Sequence, residues 1–316
     1  PPHPNTTLFR SMPVETPNHG PRTIVSNPEN LTASPFGWHD TNGATGSEFT
    51  NTRGNNVFAY EDGDNPGYSP DGGGGLVFDF PINTTYSAGD QSEDAAITNL
   101  FYWNNIIHDV MYLYGFDEAS GNFQENNYGN GGVGSDSVLA ESQDGVDTGS
   151  RNNANFATPP DGSTPRMQMF QWDLTTPERD SSLDAGIVIH EYAHGVSTRL
   201  TGGPGNVGTL ITQQSGGMGE GWSDWHALML TQTSDDSAMD ARGIGTYALG
   251  QASTGPGIRT QRYSYNMSAN DLTYGDIAGS APIHFIGEVW ASTLWDLNWA
   301  LIEGSNLDSK FSGPGL

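Results

Sequence analysis

The chain reads as an α+β protein, β-rich in its first half and helix-rich in its second, and three features of the pattern say so. Its first ninety residues are dense in Pro, Gly, Asn, Thr and Asp around short apolar stretches, the texture of short strands joined by turns. The segment 94–114 instead repeats apolar side chains at three- and four-residue steps. Beyond residue 180, three more helix-like segments follow one another. The expected organisation is a β-rich lobe over 1–180 with one long helix near 94–114, and a helical lobe over 181–316. A cleft between the two is the default place for a site.

Each element follows from its own residues. Asn56-Val57-Phe58-Ala59-Tyr60 and Gly75-Leu76-Val77-Phe78-Asp79-Phe80 are strand candidates, and Asp71-Gly72-Gly73-Gly74-Gly75 reads as a flexible loop tip. In the long helix Ile97, Leu100, Phe101, Ile106, Ile107, Val110, Met111 and Tyr114 form the buried face, and Gly115 closes it. Gly/Asn/Asp-rich loops then run to residue 177, interrupted by a strand over 166–172. The later helices are expected near 181–200, opened by Ser181 or Ser182, near 216–233 and near 281–303. Trp290, Trp295 and Trp299 recur at helical spacing, which reads as core packing.

Composition excludes several classes of function. With 11 Lys and Arg against 37 Asp and Glu among 316 residues, the formal charge is −26, which repels a phosphate backbone and removes nucleic acid as a partner. The absence of cysteine removes thiol nucleophiles, Cys-ligated zinc modules and disulfides. No apolar run reaches the roughly 20 residues that span a bilayer, so no membrane partner is expected. The opening Pro1-Pro2-His3-Pro4 reads as a processed mature terminus. Four Asn-x-Ser/Thr sequons, at Asn5, Asn30, Asn83 and Asn266, are glycosylation candidates and suit a secreted protein. Glu61-Asp62-Gly63-Asp64-Asn65 has residue types of a calcium loop without its regular acidic spacing or closing Glu. It reads as a solvated loop, with Ca²⁺ the second candidate cofactor after zinc.

One stretch carries chemistry. His190-Glu191-Tyr192-Ala193-His194 places two imidazoles four residues apart, on one face of a helix, where both can bind one Zn²⁺. Glu191 sits beside the cation rather than on it, which suits a general base for an activated water. A catalytic zinc needs a third protein ligand. The His-x-x-Gly-x-x-His continuation would put a glycine three residues and a histidine six residues beyond His194, but the chain has Ser197 and Leu200 there. Downstream, Gly219-Glu220-Gly221-Trp222-Ser223-Asp224 lies in the second helix candidate, far enough along for a returning helix to present Glu220 as that ligand. Asp224, one turn further on, can accept the remaining N–H of a ligating histidine. The other histidines have plainer readings: His108 is structural, His226 packed or solvated, and His3, His19 and His39 belong to loops.

These residues resemble the fungalysins, secreted fungal zinc metalloendopeptidases with a thermolysin-like site. The resemblance rests on His190-Glu191-Tyr192-Ala193-His194-Gly195, Arg199-Leu200-Thr201-Gly202-Gly203-Pro204 and Gly219-Glu220-Gly221-Trp222-Ser223-Asp224. Further segments such as Phe101-Tyr102-Trp103-Asn104-Asn105 and Asn152-Asn153-Ala154-Asn155-Phe156 extend it along nearly the whole chain. It implies a two-lobed thermolysin-like fold, protein and peptide substrates, and an inhibitory N-terminal propeptide removed at maturation. By resemblance, His284 stabilises the oxyanion, Asn153 and Ala154 belong to the edge strand that binds the substrate main chain, and Arg259 holds a substrate carbonyl. Asp276 is the candidate to orient His284, and Tyr263, Tyr265 and Tyr274 are candidates for an oxyanion-sharing tyrosine. The family's catalytic domain continues past the position of Leu316. A nick in the loop-like Phe311-Ser312-Gly313-Pro314-Gly315-Leu316 would leave the rest as a separate, associated fragment or missing.

Two rival functions remain at this level. A zinc aminopeptidase would use the same ligands but needs an acidic grip on the substrate amine, and none is identifiable. An extracellular carbohydrate-binding module would account for the Gly/Asn/Thr/Trp-rich half and not for the five aligned zinc-site residues.

Overall fold

The computed structural model describes residues 8–11, 23–83, 92–279 and 281–307. Two sheets carry most of its strands. In the smaller, β1 (Leu8–Ser11) lies between β2 (Thr23–Ser26), antiparallel to it, and β4 (Val77–Phe78), parallel to it. The larger begins with β3 (Val57–Glu61), whose side chains alternate between buried and half-buried, the mark of a strand with one face on the core. β5 (Val138–Asp144) lies parallel to β3, and β7 (Arg166–Trp172) parallel to β5. β6 (Ala154–Ala157) runs antiparallel to β7 and ends the order β3-β5-β7-β6, while β8 (Arg179–Asp180) pairs with the far end of β7. Among the described residues β6 therefore has one edge without a strand partner.

The long helix α1 (Glu93–Leu113) packs against β3 and β5. Ile97, Leu100, Phe101 and Ile107 are fully buried there, each contributing about 1.5–3 kcal/mol by leaving water. Near its C-terminal end a buried acid is fully engaged. Asp109 accepts from Asn30 N at 2.8 Å, Ser34 Oγ at 2.7 Å and Trp38 Nε1 at 2.9 Å, and His108 Nδ1 lies 3.0 Å from the same carboxylate.

Helix α2 (Ala185–Gly202) starts later than expected from Ser181 or Ser182. Those two residues form a 3₁₀ turn with Leu183, and Asp184 is the cap: its carboxylate accepts from Ile187 N at 3.3 Å and Ala248 N at 3.1 Å. The serine hydroxyls are engaged elsewhere, Ser181 with Phe170 O and Ser182 with Ser142. Near the other end, Arg199 is fully buried. It donates to Pro159 O, Gly121 O and Asp136, with Asp161 at 3.5 Å, and so ties the helix to two loops of the first half.

Helix α3 (Gln213–Leu230) opens with Thr212 and Ser215 as a reciprocal capping box, three residues before the expected start. Helix α4 (Ile283–Leu307) lies against it unusually closely. A Cβ on Gly287 would come within 2.5 Å of Glu220 Cβ, and one on Gly221 within 2.7 Å of Gly287 O, so glycine at both positions is what admits the approach. Trp295 and Trp299 are buried edge-to-face at 5.8 Å, and Trp290 packs on Trp222. The Gly73–Gly75 segment expected as a loop tip forms a short 3₁₀ turn. No helix among the described residues is long and apolar enough to cross a membrane.

Candidate metal centre

Four-residue spacing on α2 brings His190 and His194 together, with rings edge-to-face at 4.7 Å and Nε2 atoms 3.0 Å apart. Glu220 reaches the same point from α3, with Oε2 3.3 Å from His190 Nε2 and Oε1 3.8 Å from His194 Nε2. A tetrahedral Zn²⁺ with bonds of about 2.0–2.1 Å separates its ligand atoms by about 3.3 Å, which matches this spread. Glu220 Oε2 is buried and accepts no hydrogen bond, a costly state that a cation would relieve. The donor set, its spacing and the orphaned oxygen all fit a divalent metal.

Behind the histidines lies a second layer. Asp224, one turn past Glu220, accepts from His190 Nδ1 at 2.7 Å. A carboxylate only accepts, so this bond puts the His190 proton on Nδ1 and leaves the Nε2 lone pair facing the metal position. Arg259 donates to both Asp224 oxygens, at 2.7 and 2.9 Å, and the Tyr263 hydroxyl donates to Oδ2. Burial disfavours charge on Asp224, but Arg259 and His190 outweigh it and hold the carboxyl far below the usual range. Burial likewise opposes Glu220, which His190, His194 and His284 bring down to about 2. Burial and the neighbouring His190 lower His194 to about 4, leaving it neutral as a ligand must be. Burial opposes charge on His190, but Asp224 and Glu220 overcome it and push the imidazole up to about 10, so a cation binds at Nε2 in competition with a proton.

The centre opens into a cleft of about 440 Å³. Glu191 lines it, nearly buried, and burial pushes its carboxyl up to about 7. His284, in the first turn of α4, also lines it; its side chain is 59% exposed and its Nε2 lies 3.5 Å from Glu220 Oε2. Asn153, just before β6, and Ala154, Asn155 and Phe156 within it line the same wall, and among the described residues β6 pairs on one side only, with β7.

Other expected residues lie elsewhere. Arg259 is buried on Asp224, 3.8 Å from Glu220, and is not part of the cleft lining. Asp276 does not meet His284: it is exposed and accepts from Thr273 N and Oγ1, closing the short 3₁₀ turn Tyr274–Ile277. The Thr-x-x-Asp spacing makes that local bond available without any long-range closure, and it wins. None of Tyr263, Tyr265 and Tyr274 lines the cleft. The loop with calcium-like residues turns inward, with buried Glu61 accepting from the N–H groups of Gly63, Asp64 and Asn65. Asp62 joins Glu141 and Asp144 in a separate acidic group. Of the sequons, Asn5 lies outside the described residues. Asn83 is half-buried, and Asn30 and Asn266 accept from the N–H two residues on.

Sequence reasoning missed the donors to Asp224. Arg259 and Tyr263 sit in an irregular segment where no periodicity betrays a shared partner.

The chain matches the family described as Fungalysin metallopeptidase (M36) over residues 9–314. It is 44% identical over 314 residues to Extracellular metalloproteinase 2 of Trichophyton tonsurans, covering 94% of this chain and 47% of that protein. It is 43% identical over 301 residues to Extracellular metalloproteinase MEP of Fusarium vanettenii, covering 92% and 45%. The protein of the same name from Leptosphaeria maculans is 43% identical over 295 residues, with the same coverage. The chain thus spans about half the length of the curated relatives it matches.

Proposed function

The chain belongs to the fungalysin metallopeptidase family (M36), and on that footing we propose that it is a zinc-dependent endopeptidase that cuts internal bonds of proteins outside the cell. The observation that carries this reading is the convergence of His190, His194 and Glu220 at the floor of a cleft that Glu191 also lines. We read the molecule as two-lobed and thermolysin-like, divided near residue 180, with α2 along the floor.

His190, His194 and Glu220 would hold the metal. When bound, zinc supplies Lewis-acid polarisation of the scissile carbonyl and lowers the pKa of a coordinated water. Asp224 keeps His190 in the ligating tautomer. Glu191 takes the proton of the attacking water, for which a carboxyl held near neutrality by burial is suited, and passes it to the departing amine. The exposed His284 donates to the oxygen on which negative charge develops. Asn153 and the free edge of β6, which begins at Ala154, offer backbone groups to an extended substrate, which then lies across the centre as an added strand.

Cleavage of an internally quenched peptide blocked at both ends tests the reading. Activity should vanish with 1,10-phenanthroline and return with added zinc, and Glu191→Gln should retain zinc yet lose about a thousandfold in turnover. Activity indifferent to the chelator, or confined to peptides with a free amino terminus, would overturn it.

A further inference from the structure

Asp224 is gripped by four donated hydrogen bonds. Oδ1 accepts from His190 Nδ1 and Arg259 Nη2, and Oδ2 from Arg259 Nε and the Tyr263 hydroxyl. The donors differ in how their own positions are set. Arg259 is a long side chain whose guanidinium, among the described residues, makes no other hydrogen bond and otherwise only approaches Glu220 Oε2 at 3.8 Å, so its place is set mainly by Asp224. Tyr263 is fixed independently. It is fully buried, its ring belongs to the main hydrophobic core, and its N–H and C=O exchange 2.8 Å bonds with Arg242.

We propose that Tyr263 is a positioning residue of the metal centre: its hydroxyl, anchored by the core, fixes the plane of the Asp224 carboxylate and through it the aim of His190. This rests on the metal-centre reading above. A carboxylate rotates about one bond, so locating Oδ2 locates Oδ1, and Oδ1 determines where His190 Nδ1 points. Without the hydroxyl, Oδ2 keeps only a guanidinium that can move with it. A buried lone pair also loses its partner, which favours a shifted carboxylate. The effect reaches the metal through Asp224 alone, since Tyr263 does not line the cleft.

The test replaces Tyr263 by Phe, which keeps the ring and removes the bond. Zinc affinity is measured by chelator competition, and ligand geometry by the visible spectrum of the cobalt(II)-loaded protein. The expected result is zinc affinity about tenfold weaker and a shifted cobalt spectrum. In an Asp224→Ala background the same replacement should change neither. Tyr192→Phe is the control for loss of a buried hydroxyl as such, because Tyr192 is equally buried and its hydroxyl has no hydrogen-bond partner; both readouts should match the unsubstituted protein. Affinity and spectrum unchanged in Tyr263→Phe overturn the proposal, as does an effect that persists without Asp224. Should Tyr263→Phe fail to fold, 3-fluorotyrosine at position 263 changes the donor strength and keeps the shape, and an unshifted cobalt spectrum then overturns it. An unsubstituted protein that binds neither metal would sink the metal-centre reading itself, and this proposal with it.

Discussion

Two groups of acidic and metal-ligating side chains meet the same test of proximity, with ligand atoms within 4.8 Å of one another: His190, His194 and Glu220 between α2 and α3, and Asp62, Glu141 and Asp144 at the end of β3 and β5. They differ in what surrounds them. Around the first, Asp224 has a donor on every side, Glu220 is held at about 2, and both acids are settled as anions. In the second, burial raises all three carboxyls, Glu141 to about 7. The hydroxyl of Tyr60, the half-exposed Arg166 at 3.7 Å and Gln168 answer only part of that cost. Proximity collects acids; donated hydrogen bonds decide whether they are ionised and aimed.

The contrast can be attacked at several points. The largest effect belongs to Glu220→Gln, which keeps the shape and removes the charge. Zinc affinity should fall by about a hundredfold or more, measured by chelator competition, and a smaller loss would mean that Glu220 is not a ligand. Asp224→Asn comes next. His190 loses its charged acceptor, and zinc should bind about tenfold to a hundredfold more weakly while the fold stays intact by circular dichroism. His284→Ala should lower kcat by about a hundredfold, leave KM nearly unchanged and weaken zinc only slightly, since its exposed side chain lines the cleft and meets Glu220 at 3.5 Å but makes no bond to Asp224. The smallest effect has the opposite sign. Glu141 has its folded pKa raised from 4.5 to about 7, so the folded state holds that proton more tightly than the unfolded chain does. Its stabilising contribution is present below pH 4.5 and is lost as the pH rises to 7, at a cost of about 3 kcal/mol at most. Glu141→Gln should therefore raise the thermal midpoint at pH 8 and leave it unchanged at pH 4. Equal stability at both pH values would erase the distinction between the two groups.

Legibility in the sequence followed regularity. The two histidines and Glu220 could be singled out because helices convert spacing into direction, and the structure brings these three together. The strand expected at 166–172 is β7 with the same limits, since its alternating Met167 and Met169 leave little ambiguity. The start of α2 lies past the expected Ser181 or Ser182 because Asp184 is a capping residue type as well, and only tertiary bonds decide among the three. Asp276 departs from its expected place beside His284 because the bond to Thr273 forms within one turn and needs no long-range closure. Arg199 illustrates the remainder: its carboxylate partner Asp136 lies 63 residues away, and nothing short of the folded chain reveals the pair. The same holds for Tyr263, whose acceptor lies 39 residues away.

An unpaired strand edge is ordinarily a hazard, because any extended chain can add to it and a second copy can do so as readily as a guest. In β6 that edge is four residues long, and three of the four, Ala154, Asn155 and Phe156, line the cleft. An edge this short gives a neighbouring sheet little to add to, which is one way folded proteins blunt an exposed edge. On the proposed reading, the shortness that limits growth of a sheet at this edge still leaves room for one extended substrate segment.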